Sequence, residues 1–342
     1  MEGRMNSKSQ QQIQWVKGTP IGSGSFGVVN LAMNRSNGEI FVVKSGGGAG
    51  FQPLQNEAEI LKSLDSPYIV RCLGHEISGE PNGERQFNLF MEFMAGGSLS
   101  DLSKKFGGSG LDESVIRSYT RDILHGLAYL HGKGIVHCDL KCKNVLMGAS
   151  GNVKLADFGA ARKMNSPKSD MNSKNFWQSM CGTPLWMAPE VLRSEGLSPA
   201  SDMWSLGCTV IEMATGKLPW GEDISNPMAA VYKITCSNET PQFPSEFSKQ
   251  GMDFLSKCLE RDPRKRWTSE ELLSHPFISG NLNSMDLCTP TSVLDVRGWE
   301  SDGSESPERG ELLSRIPFSK RCCNNDVESL FGSSDNWLEV RS

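Results

Sequence analysis

The sequence predicts an α+β chain in two parts: a small antiparallel β-rich part with one helix, then a larger, mostly helical part. Three observations carry this. β-branched and aromatic runs joined by glycine turns fill residues 15–44. Apolar residues recur at helical spacing in long stretches from residue 112 onward. The 342 residues are 37% hydrophobic and 22% charged. That is enough chain to bury more than one small core, and the composition is not that of a disordered, collagen-like or coiled-coil sequence.

Taken in order, Val28, Val29 and Leu31 follow a glycine turn, Asn37-Gly38 signals a hairpin, and Ile40-Phe41-Val42-Val43 is a β run. Residues 45–50 read as a glycine loop, loose enough to let the next helix move. Leu54, Ala58, Leu61 and Leu64 then repeat at helical period, with Pro53 in the first turn. Residues 87–93 read as a strand ending at Ala95-Gly96-Gly97. Helices are expected over 115–130, 199–215, 227–236 and 252–259, and a nucleotide would fit the cleft between the two parts. The expected division is a polar extension over 1–14, a folded domain over 15–278 split into 15–94 and 95–278, and an acidic, Ser-rich, mostly disordered tail over 279–342.

Charge and cysteine usage exclude several functions. There are 35 basic and 40 acidic residues, net −5, and residues 281–342 hold 6 of the basic and 11 of the acidic ones, so the rest is balanced. No basic stripe follows a phosphate backbone, so no nucleic-acid partner is expected. The ten cysteines show neither Cys-x-x-Cys nor zinc-finger spacing, which suits a reduced, intracellular chain without a structural metal. No apolar run reaches the ~18 residues of a membrane span, and residues 1–12 lack the apolar core of a signal peptide. The expected place is the cytoplasm, with the nucleus also open to the chain. In the tail, Leu312-Leu313 and the apolar residues of 327–331 read equally as docking motifs or as parts of a solvated segment.

Chemistry is concentrated in four motifs. Gly22-Ser23-Gly24-Ser25-Phe26-Gly27 is a turn whose backbone N–H groups can approach phosphates, and a following strand rather than a helix argues against a dinucleotide fold. Lys44 ends a β run 17 residues beyond Gly27. Glu57, 13 residues later on a helical face, can hold that ammonium toward α- and β-phosphates, with Glu59 as a competing partner. His137-Cys138-Asp139-Leu140-Lys141-Cys142-Lys143-Asn144 places an acid that can orient a hydroxyl (Asp139), an amine that can neutralise a γ-phosphate (Lys141) and a magnesium-ligating amide (Asn144). Asp157-Phe158-Gly159, 18 residues after Asp139, supplies a second metal-ligating acid.

Ala188-Pro189-Glu190 closes the segment that Asp157 opens. With these motifs in this order, residues 15–277 resemble the eukaryotic-type protein kinases. Asp139-Leu140-Lys141 and Gly182-Thr183-Pro184 are similar to the serine/threonine class. The stretches 182–191 and 204–213, with Val43-Lys44-Ser45 and His137-Cys138-Asp139, resemble plant MEKK-like mitogen-activated protein kinase kinase kinases. The resemblance implies a bilobal protein-kinase fold, ATP and Mg2+ as cosubstrates, and MAP kinase kinases as substrates in a stress or hormone signalling cascade. It adds Ile21, Val29, Val42 and Leu146 to the nucleotide-binding set, Met91 as gatekeeper, and backbone groups of Glu92 and Met94 as contacts to the base. It further implies that Thr183 contacts Asp139 and Lys141, that Asp202 binds the backbone of the catalytic loop, and that Arg266 pairs with Glu190.

The chain departs from the pattern in two places. Cys138 stands where many kinases carry an arginine that pairs with an activation-segment phosphate, so activity is expected to depend less on that phosphorylation. Val42 replaces the usual alanine and tightens the adenine roof. Candidate phosphosites for upstream kinases or phosphatases are Ser166, Ser169, Ser173, Ser179 and Thr183 in the activation segment, and Thr289-Pro290 and Ser306-Pro307 in the tail. Two alternatives stand beside an active kinase. A kinase-fold scaffold acting by binding would be expected to have lost one of Lys44, Glu57, Asp139, Asn144 or Asp157. A small-molecule phosphotransferase would lack Ala188-Pro189-Glu190.

Overall fold

A computed structural model describes residues 14–24, 26–79, 83–106, 110–164, 183–221 and 227–280, and the backbone of 338–339. The described chain forms two compact units, residues 14–55 with 72–93, and residues 56–71 with 94–280.

In the first unit, β1 (Trp15–Gly24), β2 (Gly27–Asn34), β3 (Ile40–Gly47), β4 (Cys72–Gly79) and β5 (Arg85–Glu92) form an antiparallel sheet in the order β1-β2-β3-β5-β4. The backbone of Leu338–Glu339 pairs along the outer edge of β1. Side chains alternate across a pleated sheet, so register assigns each residue to a face. One face buries Trp15, Ala32, Phe41, Val43 and Phe90. Its rings meet edge-on, Phe90 lying 5.4 Å from Trp15 and 5.5 Å from Phe41, a favourable spacing for aromatic quadrupoles. The Trp15 indole N–H donates to the Glu76 carboxylate at 2.8 Å. The other face carries Val29, opposite Lys44, and Leu31, opposite Val42; Leu89 and Met91 continue it on β5. Strand β4 is not apparent from the sequence. Its eight residues include Gly74 and Gly79 and none is fully buried, so no alternation of buried and exposed positions marks it.

Helix α1 (Phe51–Lys62) begins with Phe51 edge-on to Phe87 at 5.6 Å. Leu54, Ala58 and Leu61 are buried as their spacing predicts, but Leu64 lies beyond the helix. Bonds from the Ser63 and Leu64 amides back to the carbonyls of Ile60 and Leu61 close a tight last turn instead. The glycine stretch before α1 has a packing reason. A Cβ at Gly46 or Gly50 would stand 2.4 or 2.5 Å from the Phe26 carbonyl oxygen.

The second unit is helical: α2 (Leu99–Lys105), α3 (Glu113–Gly132), α4 (Pro189–Leu192), α5 (Pro199–Thr215), α6 (Pro227–Cys236), α7 (Lys249–Cys258), α8 (Ser269–Leu273) and α9 (Pro276–Ser279). Helix α5 is its centre, buried continuously from Ser201 to Ile211, as expected for a helix apolar around nearly its whole circumference. Helices α5 and α6 match their predicted bounds. Helix α7 starts earlier than its apolar pattern because the Ser248 hydroxyl caps it, accepting the Gly251 N–H at 3.0 Å. Short strands β6 (Gly97–Ser98), β8 (Val145–Met147) and β9 (Val153–Leu155) form one small sheet, and β7 (Ile135–Val136) pairs with β10 (Arg162–Lys163) in another. Among the described residues no helix is long and apolar enough to cross a membrane.

Candidate active site

In the first unit, the sheet face opposite the aromatic core collects residues singled out from the sequence. Gly22 pairs with Val29, and a Cβ built on Gly24 would lie 3.8 Å from Lys44 Cε, so the turn runs over the lysine stem. A Cβ on Gly27 would come within 2.2 Å of the Ser45 carbonyl oxygen, which only glycine permits. Lys44 is 4% exposed, and Val42 and Met91 are buried beside it in register. Ser23 and Phe26 flank the hairpin tip; Ser25 lies outside the described residues. Ile21 sits at an irregularity between Pro20 and Gly22 and is exposed. Glu92 closes β5.

In the second unit, Glu57 is 1% exposed on α1. Met94 is buried, its carbonyl accepting the Gly97 N–H at 3.2 Å, and Leu146 is half-buried on β8 opposite Ser98 and Lys154. The densest cluster surrounds Asp139. Lys141 Nζ donates to its carboxylate at 3.1 and 2.8 Å. Asn144 Nδ2 donates to its carbonyl at 2.7 Å and to Oδ2 at 2.8 Å. The Thr183 hydroxyl donates to Oδ1 at 3.1 Å and also meets Lys141 Nζ. Three of the four chemistry-bearing groups in this loop and segment therefore converge on the fourth.

Buried contacts hold the loop in place. Asp202 on α5 is fully buried, and its carboxylate accepts the N–H of His137 at 2.9 Å and of Cys138 at 3.0 Å, together with His131 Nε2 at 2.8 Å. Burial alone would raise that carboxyl, but the hydrogen bond and charge of His131, with the His137 main-chain N–H, outweigh it and hold it below the usual aspartate range. Cys138, whose N–H meets Asp202, adopts a left-handed φ of 68°. His137 accepts the Asp139 N–H at Nδ1 (3.3 Å), so Nε2 carries the proton it donates to the Ala156 carbonyl at 3.0 Å. The Ala156 N–H in turn donates to the Asn144 carbonyl at 2.9 Å. Asp157, the next residue, is left-handed at φ 60°, ahead of a fully buried Phe158. Asn144 and the residue before Asp157 are thus tied main chain to main chain.

Further along, Arg266 grips Glu190 with two parallel bonds, Nη1–Oε1 2.7 Å and Nη2–Oε2 3.1 Å, as the family resemblance implies. Glu212 was not singled out. Its Oε2 accepts the Cys142 N–H at 3.1 Å and the Trp186 indole N–H at 3.0 Å; the available signal was an acid inside the apolar run Val210-Ile211-Glu212-Met213. The Cys142 thiol is buried and pushed well above its usual range, which makes it inert. Ser166, Ser169, Ser173, Ser179, Gly182 and both tail phosphosites lie outside the described residues.

Comparison with known proteins agrees with this geometry. The family model "Protein kinase domain" matches residues 15–278. The Arabidopsis thaliana mitogen-activated protein kinase kinase kinase 17 is 40% identical over 298 residues, covering 84% of this chain and 78% of the relative. Kinase kinase kinase 18 of the same plant is 40% identical over 306 residues (86% and 88%), and number 20 is 41% identical over 276 residues (79% and 80%). Both the domain match and the level of identity, sustained along most of each relative, place the chain among the serine/threonine protein kinases, in the mitogen-activated protein kinase kinase kinase family.

Proposed function

We propose that this kinase transfers the γ-phosphoryl group of ATP, with Mg2+, to serine or threonine hydroxyls of MAP kinase kinases in a stress or hormone signalling cascade. The observation that carries the reading is the convergence of Lys141 Nζ, Asn144 Nδ2 and Thr183 Oγ1 on Asp139. The donor chemistry fits the metal. With Asn144 Nδ2 engaged by Asp139, its Oδ1 is the atom left for ligation, and the Asp157 carboxylate adds hard oxygens. Among the described residues no group of three His, Cys, Asp or Glu could hold an ion alone. That suits Mg2+, which takes its remaining ligands from phosphate and water.

Bound magnesium would supply positive charge against which phosphoryl charge develops. Asn144 and Asp157 would hold it. Asp139 orients the acceptor hydroxyl and receives its proton, Lys141 offsets negative charge at the transferred group, and Thr183 keeps the Asp139 carboxylate in one rotamer. In the first unit, residues 21–27, Val29, Val42, Lys44, Met91 and Glu92 are the proposed nucleotide-contacting face; Glu57, Met94 and Leu146 are the corresponding residues of the second. We take 15–278 as the catalytic domain and 279–342 as a tail open to upstream kinases or phosphatases, in a protein acting in the cytoplasm, with the nucleus also open to it.

The test is transfer of radiolabelled phosphate to a panel of kinase-dead MAP kinase kinases by wild type, Lys44→Met and Asp139→Asn. Each substitution should lower transfer roughly 10²–10³-fold, the scale of losing one preorganised group at the transition state. Equal labelling by all three proteins would favour a scaffold acting by binding.

A further inference from the structure

We propose that the main-chain edge of β1 at Val16 and Lys17 is a docking site for an extended segment, and that its occupant is this chain's own stretch around Leu338–Glu339. The proposal does not depend on the kinase reading.

A strand inside a sheet is paired on both sides, whereas an edge strand presents a row of main-chain N–H and C=O groups to any strand that can reach it. On the side of β1 away from β2, the backbone of Leu338–Glu339 pairs with it, antiparallel, with Val16 opposite Glu339 and Lys17 opposite Leu338. The place is set by β1 itself. Its pairing with β2 is regular from Trp15 to Lys17 and shifts on either side of Pro20, which has no N–H to offer a neighbour. The regular edge therefore lies ahead of Pro20, where the pair is found. The sequence of the occupant suits the place. Residues 333–342 contain neither glycine nor proline, and in Leu338-Glu339-Val340-Arg341 apolar and charged residues alternate, the period of a strand. The register agrees with that period. Lys17 is opposite Ala32, a member of the aromatic face, so position 338 falls on that face and position 339 falls with Val16 on the other. Residues 281–337, 57 in number, join Gly280 to Leu338. A chain of that length spans up to about 190 Å, so length sets no bar to pairing within one molecule, and a tethered strand outcompetes a free one of equal affinity. Strand addition of this kind draws its affinity from main-chain bonds and its selectivity from alternate side chains. It also shields an edge that would otherwise template pairing between molecules.

The experiment is carried out on the full chain. Three double-cysteine variants are oxidised with copper phenanthroline, and the cross-links are identified by mass spectrometry of the peptides. Two are in register, Val16→Cys/Glu339→Cys and Lys17→Cys/Leu338→Cys, and one is out of register, Lys17→Cys/Glu339→Cys. Directly opposed residues bring their Cβ atoms within about 4.5–5.5 Å, whereas positions 17 and 339 lie on opposite faces. At least one in-register pair should close about 10-fold or more faster than the out-of-register pair, within a single chain. Leu338→Pro/Glu339→Pro removes both N–H groups of the occupant. In that variant amide exchange over residues 15–18 should speed at least ~10-fold, while residues 40–45 exchange as in wild type. A fluorescent peptide of residues 333–342 should bind the proline variant at least ~10-fold more tightly than wild type, whose edge is filled. If cysteine at Val16 prevents folding, the two Lys17 variants and the exchange measurement carry the same comparison. Equal cross-linking rates in and out of register, or unchanged exchange over 15–18, overturn the proposal. So does a peptide that binds both proteins alike or neither. An in-register cross-link that joins two molecules assigns the edge to a second copy and overturns the choice of occupant. Phosphoryl transfer enters none of these measurements, so their failure and that of the kinase reading are distinct.

Discussion

Replacing Arg266 by alanine should destabilise the second unit by about 3–5 kcal/mol. The Arg266 side chain is 0% exposed and its Glu190 partner 5% exposed. The guanidinium makes the two Glu190 bonds, donates to the Ala200 carbonyl at 2.6 Å and to the Glu260 carbonyl at 2.8 Å, and lies 5.3 Å from the Trp204 ring centroid. Alanine removes all of these at once and strands a buried carboxylate, the situation in which loss of one ion-pair partner costs about 3–5 kcal/mol. At roughly 2–4 °C per kcal/mol for a domain of this size, the midpoint should fall by about 6–20 °C. Arg266→Lys keeps the charge but not the planar fork, so it should lose much of the same stability. The assay is urea unfolding at neutral pH followed by tryptophan fluorescence, with Glu190→Gln and the Arg266→Ala/Glu190→Gln pair alongside. The pair should be less destabilised than the sum of its single changes, because removing both partners leaves no unpaired charge. A loss under about 1 kcal/mol for Arg266→Ala, or strict additivity in the pair, would refute the reasoning.

Three further outcomes follow from the same geometry. Gly27→Ala places a Cβ 2.2 Å from the Ser45 carbonyl oxygen; overpacking of this kind should cost about 1–3 kcal/mol and weaken nucleotide binding, read by denaturant midpoint and calorimetry. The lowered Asp202 carboxyl stabilises the fold above the ordinary aspartate range, near pH 4, and that contribution is lost as pH falls through its depressed folded value. Wild type and Asp202→Asn should accordingly converge in stability as the pH drops from about 6 to 3, and a constant gap would contradict the assignment. With Cys138 unable to pair with a phosphate, phosphatase treatment should leave most transfer activity, measured on the same acceptor before and after; near-complete loss would show that phosphorylation is required.

What the amino-acid sequence determines on its own is local. The glycine turn, the β run ending in Lys44, the loop holding Asp139 and Asn144 and the turn at Asp157 each lie within a few contiguous residues, where backbone freedom and residue chemistry suffice to mark them. The strand β4 escaped because, with two glycines and no fully buried residue, it carries no periodic signal. The anchoring of the site belongs to the tertiary structure alone. His131 and Asp202 are 71 positions apart, Cys142 and Glu212 70, Glu190 and Arg266 76, and no spacing rule links such pairs. Asp202 and Arg266 could be named beforehand only through family resemblance, and Glu212 not at all. Their roles arise because α5, buried nearly all round, brings carboxylates into a medium where each must find a donor, and the donors within reach are the main chain of the catalytic loop and the side chains around it.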